Sequence, residues 1–311
     1  MIVATTLAEK KYFLGLSALI NSMVARGKYI DKIVVGYREE LPRWLPKLSP
    51  SKNGVSCILN SGMELELVEM AGDLHMVHEK PKWFRYFTDV LEPDANEYYF
   101  FDSDIVIVNR MSFFGEWVRQ GVAICEDVNY SMNRNHPIRK QWEKFAAMDG
   151  LEVKSHIDWY YNSGFLGWTK ETKLFLAEWE KCFEILAKHS GDMKQFRIHD
   201  RTHPVLSANQ DSLNLAAMTT QVPISTIGPE AMGFENGMHL MSHPIGKKPW
   251  NKKYVSDFFK GYPPRTSDLH YWRNVNGSEF KPENGLLVSY KRIICQLLKG
   301  LSRFYQRNGS T

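Results

Sequence analysis

The sequence predicts an α/β fold: a mainly parallel β-sheet flanked by helices, followed by a C-terminal helical extension. Three observations carry this expectation. Apolar runs of strand length alternate with helical patterns over the first 170 residues, as they do where buried strands are joined by crossover helices. The chain has 311 residues, 43% of them hydrophobic and 13% aromatic, and single cores rarely grow beyond ~250–300 residues. After Trp250 the alternation loosens into Pro- and aromatic-rich loops. The expected division is therefore a unit over residues 1–255 and an extension over 256–311.

In order, Ile2–Ala4 reads as a buried strand running into a helix at about 8–26, and Lys32–Gly36 and Glu64–Glu69 as the next strands. A helix over 80–91 leads to strands at Tyr98–Phe101, Ile105–Val108 and Gly121–Glu126. A helix over 134–148 precedes a strand at Gly164–Trp168. The helix expected over 171–189 repeats Leu174, Phe175, Trp179, Phe183 and Leu186 at 3.6-residue spacing. A further helix opens near Asn209 and runs to about Met218, and the last, over 286–306, is amphipathic.

Several classes of function are excluded. No stretch of ~20 uncharged apolar residues exists to cross a bilayer as a helix, and the N-terminus lacks the pattern of a secretory signal. Cys57, Cys125, Cys182 and Cys295 stand far apart without CxxC or Cys/His pairing, which argues against a disulfide scaffold or structural zinc and for a reducing, cytoplasmic setting. The net charge of +4 hides an imbalance: residues 247–311 hold thirteen Lys/Arg against four Asp/Glu, leaving an acidic body. That body, without a recognition module, argues against nucleic acid as a partner.

The sharpest local signal is Tyr98-Tyr99-Phe100-Phe101-Asp102-Ser103-Asp104-Ile105-Val106-Ile107-Val108. Two carboxylates break an apolar run, and residues i and i+2 of an extended segment share a side. Burying two acids without a cation is costly, and carboxylate oxygens suit Mn²⁺ or Mg²⁺ carrying phosphates. Two enzyme classes use such a pattern. Nucleotide-sugar transferases of the GT-A fold hold a divalent metal and diphosphate with DxD. Haloacid-dehalogenase-like phosphatases place a nucleophilic Asp and an acid/base Asp in DxDx[TV], which Asp102-Ser103-Asp104-Ile105-Val106 also fits. The phosphatase class wants a second, adjacent acidic pair downstream, and this chain has no Asp-Asp.

Five segments, in order over roughly residues 1–255, resemble retaining glycosyltransferase family 8, which includes glycogenin and bacterial lipooligosaccharide galactosyltransferases. Ile2-Val3-Ala4-Thr5-Thr6 with Tyr12-Phe13-Leu14-Gly15 looks like that family's first strand and nucleotide loop. The resemblance implies uracil stacking on Tyr12 and nucleotide contacts from Thr5 and from Ser103 inside the DxD. Lys80-Pro81-Lys82-Trp83-Phe84-Arg85 resembles the family's aromatic-aromatic-Arg helix, whose arginine reaches the donor sugar or diphosphate. Trp159-Tyr160-Tyr161-Asn162-Ser163-Gly164 is similar to its aromatic-Asn-[SA]-Gly motif, which implies donor binding by Asn162. Asn209-Gln210-Asp211-Ser212-Leu213-Asn214 resembles Asp-Gln-Asp-apolar-Leu-Asn, with Asn209 replacing an acid that contacts the donor sugar. His243-Pro244-Ile245-Gly246-Lys247-Lys248-Pro249-Trp250 resembles His-x-x-Gly-x-x-Lys-Pro-Trp with one residue fewer, so either Lys247 or Lys248 takes the phosphate role beside Gly246.

The resemblance implies transfer of a hexose from a UDP-sugar to a glycan or glycolipid hydroxyl with retention, on a Mn²⁺ (alternatively Mg²⁺) held by Asp102, Asp104 and His243. Gln210 or Asp211 would serve as nucleophile in a double displacement, whereas a front-face substitution needs none. A GT-A domain that binds without turnover is the non-enzymatic alternative, motivated by Asn209. In the C-terminal segment, Leu286, Tyr290, Ile293, Ile294, Leu297, Leu301 and Phe304 recur at helical spacing among Lys291, Arg292, Lys299, Arg303 and Arg307. Such a helix either docks on the body or lies on an anionic membrane surface at the cytoplasmic face.

Overall fold

The computed structural model describes residues 1–128, 132–191 and 195–304. Its elements are β1 (Ile2–Glu9), α1 (Tyr12–Ala25), β2 (Lys32–Arg38), β3 (Ser49–Pro50), β4 (Val55–Ile58), β5 (Glu64–Glu69), α2 (Lys80–Tyr86), β6 (Glu97–Phe101), β7 (Val106–Ile107) and α3 (Ser112–Val118). There follow β8 (Val122–Glu126), α4 (Pro137–Met148), β9 (Tyr161–Thr169), α5 (Leu174–Ser190), α6 (Ala208–Thr219), β10 (Ile224–Ile227), β11 (Met241–Ser242), α7 (Tyr254–Phe259), α8 (Thr266–Asn274) and α9 (Gly285–Leu301).

Nine strands form one sheet in the order β10-β8-β9-β6-β1-β2-β5-β4-β3. The central strand β1 pairs in parallel with β2 and β6, and its residues are buried on both faces, as crossover helices require. Alternation along β6 sends Tyr98 and Phe100 into one core and Tyr99 and Phe101 into the other. The first core is covered by α2, α4, α5 and α6 through Phe84, Trp142, Trp179 and Leu213, and the second by α1 and α3 through Phe13, Leu16 and Phe114. Tyr98 stacks on Trp168 at 5.6 Å between ring centroids, and Phe84 lies on the same indole at 5.4 Å. These contacts fix α2 against the end of β6 from which the two acids emerge.

The sheet is mixed rather than mainly parallel. Among the described residues four neighbouring pairs are parallel and four antiparallel. The difference has two sources: β9 enters between β6 and β8 against both, and β4 returns to β5 through a tight turn at Gly62, whose φ is +83°. The expected strand Ile105–Val108 shrinks to β7, which pairs with β11 in a separate two-stranded ladder. The expected helix over 80–91 is α2 followed by a π-helical turn at Phe87–Leu91. The end of the expected last helix, 305–306, lies outside the described residues.

The C-terminal helices form a third core with α1. Tyr254, Leu269, Tyr271, Trp272, Val288 and Cys295 pack with Ala18 and Val106. Asn21 of α1 clamps this unit: its amide donates to the carbonyls of Asn274 and Phe280, each at 3.0 Å, and its Oδ1 accepts from the N–H groups of Glu279 and Phe280, each at 3.1 Å. The extension is thus docked on the body through buried, satisfied polar groups. Among the described residues no helix is long and apolar enough to cross a membrane.

Candidate functional site

A cavity of about 320 Å³ opens where β1 and β6 end and β9 begins, and the segments singled out in the sequence converge on it. Asp102 follows the last residue of β6, and its N–H donates to the Gly164 carbonyl at 2.7 Å. This turn lies directly on α1, because a Cβ at Gly15 would stand 2.6 Å from the Ser103 carbonyl oxygen. A side chain at Gly164 would meet His243 Cε1 at 2.8 Å. Both glycines are required by close approach.

The charges that line the cavity at Asp102 and Asp104 are paired. Asp102 receives the ammonium of Lys80 at 2.8 Å, and Asp104 that of Lys248 at 2.5 Å. His243 Nε2 stands 3.3 Å from Asp104 and 3.8 Å from Asp102. One ligand atom from each of Asp102, Asp104 and His243 falls within 4.8 Å of the others, so the group could hold a metal ion. Burial pushes the Asp104 carboxyl up, but Lys248 and His243 outweigh it and hold the group well below the usual carboxylate range. Desolvation opposes the charge of Lys248, and Asp104 more than offsets it, so its pKa is raised.

A group of neutral amides adjoins these charges, joined to them by Lys80, whose ammonium also donates to the Ser163 carbonyl at 2.8 Å. Asn162 of β9 donates to Asp127 at 2.5 Å and accepts from the Gly164 N–H at 2.7 Å. Gln210 donates to the same Asp127 oxygen at 2.9 Å and accepts from the Ser163 N–H at 3.3 Å. Asn209 donates to the Ser163 hydroxyl at 2.8 Å. Amide and hydroxyl groups held in this way are suited to sugar hydroxyls, which both donate and accept. Tyr12 opens α1 on the cavity wall, edge-on to Trp250 at 5.5 Å, and Ser103 and Gly246 (φ +75°) also line it. Phe196, stacked on His75 at 4.9 Å, and Arg197 form part of the rim.

Three residues expected in the site are placed elsewhere. Thr5 is fully buried inside the sheet, donating to the Val34 carbonyl and accepting from the Trp83 indole, each at 2.8 Å. Arg85 is on the outer side of α2, paired with Glu180 at 2.6 Å, because that helix turns Lys80, Trp83 and Phe84 inward, in line with Phe87 of the π-helical turn. Asp211 is fully buried and does not line the cavity. It accepts from the Tyr160 hydroxyl (2.5 Å) and from the N–H groups of Leu206 (2.6 Å) and Ser207 (2.9 Å), tying down the start of α6, and desolvation pushes its pKa up to about 6. Of the two lysines left open, Lys248 faces the acids and Lys247 pairs with Asp257 of α7 at 3.1 Å.

Sequence reasoning does not find Lys80 or Asp127. The helical phase of α2 identifies Lys80, since 80, 83, 84 and 87 share a face and 85 does not. For Asp127 the signal is its position, at the end of a strand that the sequence does predict. Neither a family model nor a curated protein matches the chain.

Proposed function

We propose that this chain is a metal-dependent retaining glycosyltransferase of the GT-A fold, resembling family 8, that moves a hexose from a UDP-sugar to a hydroxyl of a glycan or glycolipid. The observation that carries the reading is the convergence of Asp102, Asp104 and His243 with Lys80 and Lys248 in one cavity that is also lined by Asn162, Asn209 and Gln210. Formal charge supports it. The two carboxylates are cancelled by the two ammonium groups, so the site by itself offers no surplus to a diphosphate. A divalent cation adds two positive charges, matching the two negative charges of a nucleotide-sugar diphosphate.

Asp102, Asp104 and His243 would hold Mn²⁺, with Mg²⁺ as the alternative, and the bound cation supplies charge that stabilises the leaving diphosphate. Lys248 and the Gly246 N–H clasp the phosphates, and Lys80 orients Asp102 through their ion pair. Tyr12 offers its ring to the uracil. Asn162, Asn209 and Gln210 orient the sugar, and Asp127 positions the latter amide by holding its Nε2. Asp211 has no part in the chemistry, because its oxygens are taken by the Tyr160 hydroxyl and the N–H groups of Leu206 and Ser207. Gln210, engaged at both ends, is a weak nucleophile, which favours front-face substitution. The peripheral setting that fits a glycolipid acceptor is the cytoplasmic face of a membrane.

The test is UDP release from UDP-hexoses with Mn²⁺ and after chelation. Metal-dependent release accelerated by a glycan acceptor supports the reading. Phosphomonoester hydrolysis without UDP release would instead restore the phosphatase alternative, and UDP-sugar binding without release would leave a binding domain.

A further inference from the structure

The rim of the cavity carries a cation that the donor chemistry leaves unused. Lys80 and Lys248 are paired with Asp102 and Asp104. Arg197 also lines the cavity, exposed, and has no carboxylate partner among the described residues, Glu9 at the end of β1 included. Its guanidinium is nonetheless held in place. It lies 5.4 Å from the centroid of the Phe196 ring, and that ring stacks on the His75 imidazole at 4.9 Å with 24° between the planes. His75 stands 5.9 Å from the buried His78, whose Nε2 reaches the Gln195 carbonyl at 2.9 Å. On the other side, the Ile198 N–H donates to the Leu206 carbonyl at 2.9 Å. The strap of residues 195–198 is thus fastened at both ends, and an aromatic stack orients the arginine between them, so less side-chain freedom is lost when an anion binds. Burial lowers the His75 pKa, opposed by Glu9 and aided by Arg38 and Lys80, so the positive charge of the stack is that of Arg197.

The position of the strap separates this cation from the nucleotide. Leu206, its anchor on one side, precedes Ser207, which lines the cavity, and the amides Asn209 and Gln210 of α6. His75 and His78, its anchors on the other, precede Lys80, whose ammonium reaches the Ser163 carbonyl beside the same amides. Both lead to the residues assigned to the sugar, whereas Tyr12, Gly246 and Lys248, assigned to UDP, come from α1 and from the segment after β11. In charge, too, the donor is complete: a divalent cation at Asp102, Asp104 and His243 matches its diphosphate and leaves Arg197 to a second anion. A guanidinium offers two parallel N–H donors, the geometry of a phosphate or a carboxylate. Phe196, 46% exposed beside it, offers apolar surface to the C–H groups of a sugar ring.

We propose that Arg197, with Phe196 and His75, forms an acceptor subsite that selects a sugar bearing a phosphate or carboxylate group. That the bound sugar is the acceptor rests on the glycosyl-transfer reading; that an acidic sugar binds at Arg197 does not.

The experiment is calorimetric titration of the full chain, alone and with UDP and Mn²⁺, using glucose 6-phosphate, glucuronate, glucose and inorganic phosphate as probes. With UDP and Mn²⁺ present, an acidic sugar is expected to bind about tenfold or more tighter than glucose or inorganic phosphate, and the tighter of the two identifies the acid. Arg197→Gln should remove that preference with UDP affinity within about twofold of wild type, and Phe196→Ala, which frees the guanidinium, should reduce it by roughly threefold. A preference that survives in Arg197→Gln, equal binding of glucose and both acidic sugars, inorganic phosphate binding as tightly as glucose 6-phosphate, or Arg197→Gln weakening UDP as much as the acidic sugar would each overturn the proposal. Acidic sugar bound through Arg197 by a chain that does not bind UDP would instead overturn the glycosyl-transfer reading and retain the acidic-sugar site.

Discussion

Two neighbouring groups of side chains in the cavity solve different problems with the same sheet. The group at Asp102 and Asp104 gathers full charges and cancels them internally with Lys80 and Lys248. The group at Asn162, Asn209 and Gln210 uses neutral amides anchored on Asp127 and Ser163. At the charged group a ligand must exchange partners with existing ion pairs, so binding there depends on an added cation. At the amide group it meets preset donors and acceptors, so orientation costs little reorganisation. Substitutions in the two groups should therefore differ in kind: loss of metal and nucleotide in the first, loss of turnover in the second.

The largest effect is expected for Asp102→Ala and Asp104→Ala, each lowering Mn²⁺-dependent UDP release by about 10³-fold or more; near wild-type rates in both would remove the charged group from the account. Lys80→Met leaves Asp102 without its ammonium and should reduce kcat/KM for the donor by roughly 10²-fold, chiefly through KM. Gln210→Ala should lower kcat by about 10–10²-fold while UDP affinity, read by calorimetry, changes little.

A smaller effect concerns stability. Asp211 titrates at about 6 in the fold, against an ordinary aspartate value of 3.8. A carboxyl raised on folding binds its proton more tightly in the native state, so its contribution is fully present below the unfolded value and is lost as pH rises from about 4 to about 6. The loss is on the order of 2–3 kcal/mol. Asp211→Asn should flatten this part of the Tm–pH profile with UDP-sugar contacts intact; an unchanged profile would mean that the three hydrogen bonds keep the carboxylate ionised. Arg85→Ala is the smallest case, within about twofold of wild type in rate, because an exposed ion pair with Glu180 contributes little.

Much of the site is legible in the sequence. The strand at Glu64–Glu69 has the predicted ends, and the DxD, the Asn-Ser-Gly entry to β9 and the His-to-Trp segment all reach one cavity, because each is a polar interruption in an apolar pattern. What the pattern hides is phase and pairing. Arg85 and Lys80 are on one helix, and its apolar side sends only the lysine inward. Gln210 and Asp211 are neighbours, but the Tyr160 hydroxyl and the N–H groups of Leu206 and Ser207, just ahead of α6, take the carboxylate. Thr5 is on the strand at the sheet's centre, where a neighbouring strand and the Trp83 indole claim its hydroxyl. The antiparallel entry of β9 depends on where the chain crosses the sheet, which periodicity does not encode.

The central claim is that the paired charges at Asp102 and Asp104 accept a nucleotide diphosphate only together with a divalent cation. Calorimetric titration of UDP into the full chain tests it most directly. The account predicts tight binding with Mn²⁺, binding weaker by roughly tenfold or more after chelation, and loss of the difference in Asp104→Ala. Equal UDP affinity with and without the metal, or no UDP binding in its presence, would contradict it.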